Sequence, residues 1–132
     1  MPKTLPSVGI INSSQDTIEV LRLAFEKEGF AVASTHVSSV KSGETDLIGW
    51  VKEHDPDVIV YDIALPYEEN FTFLRLLRSS VALKDVQWVI TTTHKRRLEE
   101  LVGDCGEVYE VVGKPYDLKQ IVDAVSKALG PS

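Results

Sequence analysis

The chain has 132 residues, enough for one domain with a real core and too few for two. Its formal charge of −6 disfavours nonspecific attraction to DNA or to an anionic membrane, so neither is an expected partner. A lone cysteine, Cys105, cannot close an internal disulfide, and no apolar run approaches the roughly 20 residues of a membrane span; a cytoplasmic location is expected.

In chain order, residues 8–11 form a short apolar run that reads as a first strand. Asp16 with Glu19 three residues on is a capping-box pattern. It predicts a helix whose apolar positions are Ile18, Leu21, Ala24 and Phe25 and which ends at Gly29. Residues 30–37 alternate loosely and read as a second strand, and 38–44, polar with a glycine, as a loop. Residues 46–54 carry Leu47, Ile48, Trp50 and Val51 on a short amphipathic helix, stopped by Asp55-Pro56. Residues 58–61 are apolar on both faces, as in a central parallel strand.

Residues 66–70 read as a loop, followed by a helix carrying Phe71, Leu74, Leu77 and Val81. Strand four is predicted over 86–92, a short helix over 96–102 and strand five over 108–112. Leu118, Ile121, Val122, Val125 and Leu129 make an apolar stripe on a last helix over 117–129. Strands alternating with helices demand right-handed crossovers. The expected fold is α/β: a doubly wound five-stranded parallel sheet with helices on both faces. One domain is expected over 1–132, its core about 8–129. Ligands in such folds sit at the carboxyl ends of the strands, where the strand order reverses.

Several polar side chains are expected at that edge. Asp62 ends the third strand, where a carboxylate can escape burial and act as a nucleophile towards a phosphoryl donor. Lys114 follows strand five; its ammonium can balance the carboxylate and contact a phosphoryl oxygen. A cis bond before Pro115 would turn that lysine inward. Thr92 ends strand four and offers a hydroxyl donor, with Thr91 and Thr93 beside it. Asn12 and Ser13 follow strand one and supply only neutral oxygens. Both types suit capping of the turn into the first helix, which is the reading they favour. The basic run His94-Lys95-Arg96-Arg97 reads as a solvated helix start with pairs to Glu99 and Glu100.

Asp57-Val58-Ile59-Val60-Tyr61-Asp62 with Pro66 four residues on, the spacing of Thr92 to Lys114, and Lys114-Pro115-Tyr116 together resemble the receiver domain of two-component response regulators. The resemblance covers about residues 8–129 and implies the flavodoxin-like (βα)5 architecture. It implies that Asp62 is the phosphoacceptor, Thr92 the switch hydroxyl and Lys114 the phosphate-sensing lysine, with Pro115 the cis-proline candidate. It implies Mg²⁺ held by an acidic pair, the acceptor and the carbonyl of Ala64, and a phosphoryl group from a histidine kinase or small phosphodonor. Partners would be a histidine kinase or another signalling protein, through the helix over 96–102, strand five and the last helix.

Asn12-Ser13 stands where the resemblance places the acidic pair, leaving one carboxylate where three are usual. Each lost charge near a divalent ion costs on the order of several kcal/mol, so weak or absent Mg²⁺ is expected. Val111 occupies the switch position, where an aromatic ring is usual, and Asn70 stands where a glycine is usual. The sequence therefore points to an atypical receiver, not an enzyme, acting mainly through protein interaction. The competing readings are a working phosphoacceptor on Asp62 and a flavodoxin-like small-molecule binder. Val111 and the last helix suggest a homodimer face by analogy.

Overall fold

The computed structural model describes residues 5–103, 107–111 and 115–130, with the backbone alone at 115 and 116. The element order is β1 (Ser7–Asn12), α1 (Gln15–Lys27), β2 (Ala31–His36), α2 (Val37–Ser42), α3 (Leu47–His54) and β3 (Val58–Ile63). It continues with α4 (Tyr67–Arg78), a 3₁₀ turn (Val81–Leu83), β4 (Gln87–Thr92), α5 (Lys95–Val102), β5 (Val108–Glu110) and α6 (Pro115–Leu129). All strand pairings are parallel, in the order β2-β1-β3-β4-β5. The doubly wound α/β expectation holds.

Side chains alternate across each strand, so odd and even positions feed two different cores. On one face Val8 and Ile10 of β1, Val58 and Val60 of β3 and Val89 of β4 pack against Ile18, Leu21 and Phe25 of α1 and Ile121 and Val125 of α6. On the other, Ile11, Ile59, Tyr61, Ile63 and Ile90 pack against Val37 and Val40 of α2, Val51 of α3, Leu74 of α4 and Leu98 of α5. β1 and β3 are buried throughout, which is why both read as apolar runs without alternation.

The structure corrects several local expectations. The α1 cap is Ser14, whose Oγ accepts from the Thr17 N–H at 3.2 Å; Asp16 lies in the first turn. Ser14 stands nearer the strand end and takes the capping geometry first. Residues 38–44 are not a loop, because α2 occupies most of them. Val37 and Val40, one turn apart, bury together, and Gly43 closes the helix at φ 86°. The helix expected through Val81 stops at Arg78, and Val81 is 78% exposed on the 3₁₀ turn. α4 begins at Tyr67, within the predicted loop 66–70, because Pro66 suits the position before a helix. Of the pairs expected from the basic run, those to Glu100 form, through Arg96 and Arg97, and His94 Nδ1 caps α5 by accepting from the Arg97 N–H.

Two packing details have measurable consequences. A Cβ on Gly9 would lie 2.8 Å from Cη2 of Trp50, whose ring covers the strand there. Gly9→Val should cost about 1–3 kcal/mol through overpacking, read as a lowered urea midpoint at unchanged slope. The Tyr61 hydroxyl is buried without a hydrogen-bond partner among the described residues. An unsatisfied buried polar group costs about 1–3 kcal/mol, so Tyr61→Phe should stabilise the domain by about 1 kcal/mol in the same assay.

Candidate functional site

The strand order reverses between β1 and β3, and a crevice of about 520 Å³ opens beyond their carboxyl ends. Asn12 at the end of β1 and Ser13 just past it, Ser14 and Thr17 at the start of α1, Asp62 of β3 and Ala64 just past that strand, Thr91 of β4 and Thr93 just past it, and Val111 after β5 line it. Strand parity explains the set. Asp62 shares a face with Val58 and Val60, and Asn12 with Val8 and Ile10, so both turn towards the α1–α6 side.

The same parity separates the threonines. Thr91 is the register partner of Asp62, and its Oγ1 donates to Asp62 Oδ1 at 2.7 Å. Thr92, expected beside Asp62, lies on the opposite face; its hydroxyl donates to the Ile63 carbonyl at 2.9 Å and the residue is fully buried. The spacing to Lys114 pointed to Thr92, but alternation from Val89 selects Thr91 and Thr93.

Asp62 is 8% exposed, and burial raises its carboxyl above the usual carboxylate pKa, with the Thr91 hydrogen bond pulling weakly the other way. Asn12 is also buried, and its Oδ1 accepts from the Ser14 N–H at 2.9 Å, a local turn that leads into α1, whose cap is Ser14 and neither Asn12 nor Ser13. Ser13 is exposed. The Ala64 carbonyl accepts from Asn70 Nδ2 at 2.8 Å. Val111 brings an aliphatic side chain to the crevice, and its N–H donates to the Thr92 carbonyl at 2.8 Å. Tyr109, two residues earlier on β5, gives its hydroxyl to Glu107 at 2.6 Å, which pushes its pKa up to about 12. Lys114 and its bond to Pro115 lie outside the described residues, as does Cys105. The cis X-Pro bond among the described residues is Leu65–Pro66.

The sequence matches a known family over most of its length: residues 8–126 fit the response regulator receiver domain. This chain belongs to that family. The receiver is 23% identical over 127 residues to the DNA-binding transcriptional regulator NtrC of Bradyrhizobium sp. (strain RP501 Parasponia), covering 95% of this chain and 25% of that protein. It is 31% identical over 97 residues to protein-glutamate methylesterase/protein-glutamine glutaminase 6 of Anaeromyxobacter dehalogenans, covering 74% of this chain and 25% of that one. It thus spans about a quarter of the length of the curated relatives it matches. Among solved structures, a response regulator from Thermotoga maritima superposes with TM-score 0.67 at 17% identity, covering 96% of this chain and 99% of that one. A sensor protein from Polaromonas sp. JS666 gives TM-score 0.69 at 20% identity, covering 94% and 95%. These likenesses confirm the flavodoxin-like receiver fold.

Receiver domains typically use Mg²⁺ for phosphorylation, and the residues present here do not fit that ion. Mg²⁺ seeks hard, charged oxygens in octahedral array. Among the described crevice residues the one carboxylate is Asp62, whose charged form burial disfavours. The Asn12 oxygen and the Ala64 carbonyl are neutral, and each already accepts one hydrogen bond from the protein. Among the described residues no group of three or more His, Cys, Asp and Glu side chains converges on a metal position.

The raised Asp62 pKa fixes the sign of a pH effect. The folded state holds this proton more tightly than the unfolded chain, so stability falls as pH rises through and above the unfolded value of about 3.9. Asp62→Asn should therefore be more stable than the parent at pH 7, and the difference should vanish below pH about 3.5, in paired thermal melts across pH.

Proposed function

We propose that this receiver acts in two-component signalling mainly through protein–protein interaction, with Mg²⁺-dependent phosphorylation of Asp62 weak or lost. The observation that carries this reading is the charge-poor crevice: one buried carboxylate, an asparagine oxygen that already accepts from a helix turn, and a carbonyl that already accepts from Asn70. Attack on a phosphoryl donor needs an ionised carboxylate and a counter-charge for the incoming oxygens. Burial works against the first, and the loss of the acidic pair removes the usual means of recruiting the second.

On this reading residues 1–132 form one signalling module, not an enzyme, located in the cytoplasm. Its partner is a histidine kinase or another signalling protein, which meets α5, β5 and α6, a surface assigned by family analogy; the same surface would serve a homodimer. Lys114 keeps the phosphate-sensing role, with Thr91 in place of Thr92 as the hydroxyl nearest the acceptor. A working phosphoacceptor is the second reading. It is favoured by the placement of Asp62 in an open crevice with the Thr91 hydroxyl already on it.

Titration with Mg²⁺, with and without beryllofluoride as an aspartyl-phosphate mimic, separates the two. Amide NMR shifts around Asp62 are the primary readout, with Trp50 and Trp88 fluorescence alongside. The expected result is no saturable response at millimolar metal. Saturable, Mg²⁺-dependent shifts that disappear in Asp62→Ala would establish the second reading instead.

A further inference from the structure

We propose that Lys41 and Asn70 form an internal clamp that holds the acceptor loop, residues 64–66, in one conformation without a metal ion. Lys41 Nζ donates to Asn70 Oδ1 at 2.6 Å, and Asn70 Nδ2 donates to the Ala64 carbonyl at 2.8 Å. The two bonds fix the amide orientation, because an ammonium needs an acceptor and a carbonyl needs a donor. Asn70 is 6% exposed on the first turns of α4, so its amide is poorly placed to exchange these partners for water. The bond from the ammonium is charge-assisted and polarises the amide, which strengthens the bond onward to Ala64.

The ammonium is itself held in place. It lies 5.8 Å from the centre of the Phe73 ring and 4.0 Å from the Glu69 carboxylate, and the lysine side chain is 31% exposed. Its position depends on α2, whose buried Val37 and Val40 anchor the turn that carries Lys41. Ala64 is two residues beyond Asp62 and lines the crevice, so the clamp acts on the segment that leaves the carboxylate. An acceptor loop that a bound cation would order is ordered here by the protein's own ammonium, relayed through an amide. Glycine at position 70 could make neither bond. The clamp does not rest on the reading of Asp62 given above, and Asp62 chemistry plays no part in its test.

The test is ¹⁵N relaxation of the full chain in EDTA. In the parent protein the order parameters at Ala64 and Leu65 should match rigid backbone, about 0.85. In Lys41→Met, which keeps an aliphatic stem without the ammonium, and in Asn70→Ala they should fall towards about 0.6 while β3 and β4 stay rigid. Glu69→Gln, altering only the weak outer contact, should leave them unchanged. A loop already flexible in the parent, unchanged order parameters in both variants, or loss of order spread across β3 and β4 would overturn the clamp.

Discussion

Strand β3 is covered by helices on both faces, and every residue from Val58 to Ile63 is buried. Such a strand tolerates a carboxylate only where the sheet ends and the helices part, which is where Asp62 stands. The same two-sided cover enforces strict alternation, since a residue shifted by one position would enter the opposite core. Asp62, Asn12 and Thr91 therefore converge on the α1–α6 side, while Thr92 is committed to the far face. The crevice inherits its contents from strand register before any chemistry is considered.

What that register delivers is an electrostatically sparse site. Oxygens at the crevice serve the local fold: Asn12 shapes the turn into α1, and the Ala64 carbonyl is tied to α4 through Asn70. In both places a short polar side chain satisfies a main-chain group that would otherwise need another partner. The crevice's own carboxylate, Asp62, accepts from the Thr91 hydroxyl.

Much of this was legible in the sequence. The buried strands were plain because parallel strands covered on both faces read as unbroken apolar runs, and Asp62 followed from its place at the end of one. Asn12 was legible as a turn former from its residue type alone. α2 was missed because its six residues show a single apolar pair, too short a pattern to separate from a polar loop. With α2 went Lys41, since no sequence signal links position 41 to position 70 across the fold. Thr91 was hidden by two identical neighbours; the chain alternation from Val89 would have found it, whereas spacing along the chain did not.

Both indoles lie on the face of the sheet opposite Asp62. Trp50 covers Gly9, and Trp88 stands edge-on to Tyr61 with ring centres 6.2 Å apart. A ligand entering the crevice is screened from them by the sheet itself. Their emission is therefore blind to simple occupancy and sensitive to motion carried through the strands, so a fluorescence change in this protein would witness transmission of a signal and not merely its arrival.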